Sequence, residues 1–242
     1  MAHARQLPGP RSFAFPSPLL MHMLRFLKFR LVRLSGLLLA LLWLAGPALA
    51  AEKPGKRPHK SKKDEVVTIT TTQGVIRLVL FDDTPLHKAN FLQKAKSGFY
   101  DGTSFHRIID NFMIQGGDIN SKDADPSNDG LGRANEGTVP AELGPGHPHN
   151  YGALAAARMG GPAGTPSSIS QFYLVENHGG AHFLDGQYTV FGQVIQGLDV
   201  IDKISQLPKD PRDHPTVDAK MTMKVEKLKR KKISQLYGYK YE

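Results

Sequence analysis

Ten histidines and no cysteine set the first limits on the chemistry this chain can do. Without cysteine there is no disulfide, no thiolate nucleophile, no Cys-ligated metal and no lipid-bearing Cys. Two histidine pairs, His147-Pro-His149 and His178-Gly-Gly-Ala-His182, raise the question of a metal. Neither pair has a carboxylate at ligand spacing, and loop histidines are commonly solvated, so no metal and no other cofactor is expected. No ordered triad or nucleophile elbow supports a hydrolase. What remains is one long block, Phe105-His-Arg107-Ile-Ile-Asp-Asn-Phe112-Met113-Ile-Gln115-Gly-Gly-Asp118. Arg107 offers a permanently charged, planar fork of donors among apolar residues. In isolation it would be read as half of a surface ion pair, and Phe112 and Met113 as core packing, so the surroundings must decide.

The elements that would position this block are short. Of 242 residues, 40% are hydrophobic and 22% charged, and 24 Gly with 17 Pro point to many turns in a soluble, β-rich domain. Two β-branched runs, 66–72 and 75–81, split at Gln73-Gly74, predict a hairpin. Thr84 and Pro85 then read as the N-cap and first residue of a helix that stops at Gly98. Strands are expected at 105–109 and 112–114, followed by a long polar loop layer over 119–150. Further strands at 152–157, 171–175 and 190–194 precede a helix over 198–206 and a last strand near 217–228. Many short strands with one helix early and one late indicate a closed or nearly closed β architecture capped by helices.

The formal charge of +9 invites a nucleic-acid reading, but the positive charge sits at the ends. Residues 1–50 hold six Lys/Arg and no acid, 53–63 six more and 224–242 seven, which leaves 66–223 at −5. A body of that sign repels phosphate, and no nucleic-acid partner is expected. Arg25, Lys28, Arg30 and Arg33 precede an apolar run from Leu37 to Ala45, with Ala48-Leu-Ala50 behind it. That order matches a secretory signal peptide cleaved after Ala50, for which Met21 or Met23 is the more ordinary start. The apolar run is short of the ~20 residues that span a bilayer, which disfavours a retained anchor. The expected organisation is therefore an N-terminal extension and signal peptide (1–50), a basic flexible linker (51–65), one folded domain (66–228) and a basic, Tyr-rich tail (229–242) read as a solvated extension or partner contact. A periplasmic or secreted protein follows from it.

The block 105–118 closely resembles the active-site signature of the cyclophilins. The blocks Gly152–Ala157, Ser170–Tyr173, Phe183–Gly186, Val190–Val194 and Leu198–Ile204 follow in that family's order, so the likeness runs over roughly 66–226. The resemblance implies a mainly β fold, a closed eight-stranded antiparallel β-barrel capped by two α-helices, and peptidyl-prolyl cis-trans isomerase activity. It implies Arg107 as the catalytic residue, with Phe112, Met113, Gln115, Ala157, Phe172, Tyr173, Phe183, Leu184 and Tyr188 around the bound peptide. Its substrates would be proline-containing, unfolded or partly folded polypeptides, and the protein a monomer. The chemistry is consistent with these residue types. Rotation about X-Pro is slow because C–N resonance sets a barrier of roughly 18–20 kcal/mol. At the twisted transition state the imide nitrogen regains a lone pair, so a donor aimed at it binds that state best. Gln115 is expected to hold the Arg107 plane, and Phe112, Met113, Tyr173 and Leu184 to grip the proline ring.

Three positions depart from the family pattern. Phe183 stands where many members carry Trp, Tyr188 where they often carry His, and Tyr173 replaces a Phe. Phenylalanine lacks the indole N–H, so weak binding of cyclosporin-type macrocycles is expected while peptide turnover survives. The segment 159–170 looks longer than in the shortest members. The competing function class is a proline-peptide binding module or chaperone that holds clients without turning them over.

Overall fold

The structure is a computed structural model that describes residues 61–241. The signal-like segment with its cleavage point, and linker residues 51–60, lie outside the described residues. The first strand, β1 (Lys63–Thr71), begins inside the stretch read as linker. Asp64 explains why: it is buried, with its carboxylate 3.1 Å from the Lys88 ammonium. A two-residue loop, Thr72-Gln73, turns the chain into β2 (Gly74–Leu80), where Thr71 pairs with Gly74. Gly74 has φ +140°, and a Cβ there would lie 2.8 Å from Val200 Cγ2, so only glycine serves at this turn.

Helix α1 (Pro85–Lys96) follows as expected, with Phe91, Leu92 and Ala95 buried. Its start is held differently from the sequence reading. Thr84 makes no side-chain cap; instead Glu142 accepts from the backbone N–H of Leu86 (3.0 Å) and of His87 (2.9 Å). The long loop layer thus supplies the acceptor that the helix end needs.

The remaining strands are β3 (Phe105–Ile109), β4 (Met113–Gly116), β5 (Thr138–Val139), β6 (Ala153–Ala156), β7 (Ser167–Ser168), β8 (Phe172–Val175), β9 (Val190–Gln196) and β10 (Met221–Lys229), with helix α2 (Leu198–Ser205) between the last two. Eight strands form one antiparallel sheet in the order β10-β1-β2-β9-β6-β8-β4-β3, and β5 pairs with β7 in a separate small ribbon. The sheet curls strongly but does not close. Between its outer strands there is one isolated bridge, Ser104 to Lys220, flanked by Met221 N–H to Thr103 O at 2.8 Å. Beyond it the connection from α2 to β10 wedges into the seam. Ile108 N–H donates to Asp213 O (2.8 Å) and Lys209 Nζ to Ile108 O (3.1 Å), so β3 satisfies its backbone on a loop rather than on β10.

The core fills the curl. Phe91, Tyr100, Phe105 and Phe172 meet in edge-on contacts 5.3–6.1 Å apart, among Ile69, Leu78, Ile114 and Leu174. Helix α1 packs on this core through Phe91, and α2 through Val200, Ile201 and Ile204.

The C-terminal segment departs from its reading as a solvated tail. It forms a third helix, α3 (Arg230–Tyr237), whose Ile233 is fully buried against Val66 and Val79. Arg230 is held by Asp64 and Asp82, which also bind Lys88. The basic residues around it hid Ile233, which seats on the sheet with Leu228 and Tyr237 packed beside it.

Candidate active site

Period-two alternation along β3, β4 and β8 decides which residues reach solvent. Ile108 and Ile114 point into the core and are fully buried. Arg107 lies opposite Gln115, and Gln115 opposite Tyr173, so these three form one row on the outer face. Tyr173 in turn faces Ala155 on β6. The hairpin between β3 and β4 turns at Asn111, with φ +56°, and brings Phe112 to the rim of the same face.

A cavity of about 130 Å³ opens on this row, lined by Arg107, Phe112, Met113, Gln115, Ala157, Arg158, Tyr173, Leu184 and Tyr188. Its size suits one small ring rather than a large ligand. Met113, Ala157 and Tyr173 are its buried walls, and Leu184 and Tyr188 close it from the 180–188 turn. A larger hollow of about 530 Å³ lies between the 123–129 and 210–218 loops, where four aspartates and His214 join Ala124, Pro126 and Pro215 in lining it.

Eight of the ten expected site residues line the pocket. Phe172 does not: it neighbours Tyr173 in sequence and therefore points the other way, into the aromatic core at 1% exposure. Phe183 stands on the rim, 66% exposed, with its ring 5.4 Å from that of Phe112. Gln115 does not hold the guanidinium. Its amide donates to Gln171 Oε1 (2.9 Å), and Gln171 donates to Gly130 O (3.0 Å), which pins the 126–132 loop instead. Arg107 Nε lies 3.8 Å from Asp213 Oδ2, and its side chain is 44% exposed. The sequence reading missed Arg158, two residues beyond the end of β6. Its guanidinium donates to the carbonyls of Met159 (3.1 Å) and Gly161 (2.9 Å) and stacks 4.2 Å over Tyr188. Its place at the end of the Gly152–Ala157 block was the only available signal.

Two buried histidines flank the site. His106 is 4% exposed, and neither ring nitrogen has a hydrogen-bond partner among the described residues. Burial, with smaller contributions from His214 and Arg107, pushes its pKa down to about 4 against the pull of Asp118, so it is neutral beside Arg107. His149 is fully buried behind Tyr173, and the two hydrogen-bond at 2.9 Å. Burial likewise lowers the His149 pKa, against the opposing effect of Asp185. The histidine pairs do find carboxylates, from distant sequence: His147 with Asp83, His149 and His182 with Asp185, and His178 with Asp202. No three such side chains among the described residues are grouped to hold a metal ion.

Residues 66–225 match the family described as cyclophilin type peptidyl-prolyl cis-trans isomerase/CLD. A peptidyl-prolyl cis-trans isomerase of Acinetobacter baylyi is 37% identical over 149 residues, 59% of this chain and 73% of that protein. Peptidyl-prolyl cis-trans isomerase-like 1 of Neurospora crassa is 35% identical over 64% of this chain and 90% of its own length. The chain spans only 29% of the Rhizopus delemar isomerase-like 2 protein, to which it is 36% identical. Among solved structures, a cyclophilin-type isomerase of Cryptosporidium parvum superposes with TM-score 0.57 at 27% identity, covering 68% of this chain and 98% of that one. The matched region takes in β2 to β9, the pocket row and Arg107 alike, and the chain belongs to the cyclophilin-type peptidyl-prolyl cis-trans isomerases.

Proposed function

We propose that this cyclophilin-type isomerase accelerates X-Pro exchange in exported polypeptides, with Arg107 donating to the imide nitrogen of a proline seated in the adjoining pocket. The observation that carries this reading is the single row from Arg107 through Gln115 to Tyr173, which sets a charged donor beside a ring-sized cavity that Phe112, Met113 and Leu184 supply with apolar walls. The chain breaks and forms no bond in this reaction. Phe112, Met113, Tyr173 and Leu184 hold the ring, and the residue before proline swings about the C–N axis. Excluding water from the imide removes the solvent that favours the planar, charge-separated amide. A guanidinium held only loosely by Asp213 can turn toward the nitrogen as it becomes pyramidal and gains a lone pair, and it remains charged throughout.

Export rests on the basic-apolar-small order of residues 25–50, and points to the periplasm or the exterior. The protein acts as a monomer. Cyclosporin-type macrocycles bind weakly, because Phe183 offers no N–H on the rim. The direct test is cis-to-trans exchange of an X-Pro peptide by the purified protein and by Arg107→Ala. The expected result is fast exchange, lost in the variant while its fold is retained. No acceleration by folded wild type would overturn the reading and leave a proline-binding module. Fractionation of cells expressing the full chain tests export.

A further inference from the structure

The Tyr173 hydroxyl belongs to a buried wall of the pocket, unlike the guanidinium of Arg107 and the amide of Gln115 that also line it, and it bonds to a buried histidine behind that wall. It meets His149 Nε2 at 2.9 Å, with the two rings nearly parallel at 9°. On the other side of the same imidazole, Nδ1 lies 2.7 Å from Asp185 Oδ1. The His149 backbone N–H donates to that oxygen as well, at 2.7 Å, and the His149 carbonyl accepts from Ala181 N–H at 2.8 Å. Every polar atom of His149 is therefore engaged, and the residue is fully buried.

The proton positions follow from the partners. An ionised carboxylate only accepts, so Nδ1 must carry the ring proton when it meets Asp185, and Nε2 must accept from the Tyr173 hydroxyl. The neutral state this needs is the one burial favours. Asp185 stays ionised: partial desolvation raises its pKa, but the backbone and ring hydrogen bonds of His149, with His182 at 3.0 Å, bring it below the usual carboxylate range.

These bonds join opposite sides of the pocket. Tyr173 is on β8 and forms the buried wall; Asp185 directly follows the 3-10 turn His182–Leu184, whose Leu184 forms the facing wall. We infer that His149 is a positioning residue of the isomerase, a buried strut that sets the distance between Tyr173 and the Leu184 turn and so fixes the width of the proline pocket. The hydroxyl of Tyr173 serves as the strut's anchor and not as a contact for the peptide. The inference builds on the proline-pocket reading above.

Three variants separate the arms of the strut. Tyr173→Phe removes the anchor and keeps the ring. His149→Asn keeps a donor where Nδ1 sits and cannot reach Tyr173, whereas His149→Gln places an amide where Nε2 sits. The first two are each expected to raise KM for an X-Pro peptide roughly two- to tenfold, the range of one neutral hydrogen bond, with kcat changed less. Their combination should match the worse single variant instead of multiplying, and His149→Gln should recover part of the Tyr173 arm. A purely structural His149 would lower the thermal midpoint and leave KM alone. Unchanged KM in both single variants, or multiplicative effects in the double, overturns the inference while wild-type turnover stands. Nitrogen-15 NMR of the imidazole reads the strut independently of turnover. The Nδ1–H tautomer is expected in wild type, with the Nε2 resonance moving in Tyr173→Phe; an Nε2–H tautomer overturns the inference even if the isomerase reading itself fails.

Discussion

Lowering the pH should weaken the fold through His106, the buried neighbour of Arg107. An imidazole in the unfolded chain takes up its proton near pH 6.5, but burial delays this in the folded protein to about pH 4. Between those values the unfolded chain binds one more proton, so stability falls as pH falls, at about 1.4 kcal/mol per pH unit. The contribution is fully present above pH 6.5 and exhausted below pH 4. From pH 7 to pH 5 this amounts to about 2 kcal/mol, and over the whole window about 3 kcal/mol. His87 and His149 are shifted in the same direction by burial, so the wild-type curve alone cannot isolate His106. The difference between wild type and His106→Leu can. Neither ring nitrogen has a partner among the described residues, so an apolar side chain of similar size forfeits no hydrogen bond there. Urea unfolding at pH 7, 6 and 5 should show the variant losing about 2 kcal/mol less than wild type across that range. Parallel curves for the two proteins would refute the reasoning, because they would mean that His106 is already protonated, or freely solvated, in the folded state.

Glu142→Ala removes the acceptor for two N–H groups at the start of α1 and for the His87 ring, 2.6 Å away; it should cost about 1–3 kcal/mol in urea unfolding, with m unchanged. Ile233→Ala empties the site between Val66 and Val79 and should cost about 2–4 kcal/mol, although 229–242 reads as a basic tail. A change within about 0.5 kcal/mol would show that α3 does not dock in solution. Phe183→Trp restores an N–H on the exposed rim and should tighten binding of a cyclosporin-type macrocycle about tenfold by calorimetry, the upper range of one hydrogen bond, with peptide turnover little changed.

Much of the fold and most of the site were legible in the residues. Strand and helix positions followed from β-branched runs, Gly and Pro punctuation and the Thr84-Pro85 start, all of which are local signals. The ordered blocks from Phe105 to Ile204 then carried the family, the pocket and Arg107. Phe172 was the readable error: neighbours on a strand point to opposite faces, so Phe172 and Tyr173 cannot both face the pocket, and period two along β8 sends Phe172 to the core.

Other features depend on which distant residues meet, and no local pattern encodes that. Glu142 caps a helix more than fifty residues before it, Gln115 turns to Gln171 instead of Arg107, and the 208–216 loop intercepts β3 and leaves the curl open. His149, Tyr173 and Asp185 read separately as a loop histidine, a pocket ring and a turn residue. The sequence by itself determined the chemistry available, an arginine within a run of apolar residues, with no thiol and no nucleophile motif. Only the tertiary structure decided how the pocket is held, because a buried polar atom must take a partner from wherever the fold brings one within about 3 Å.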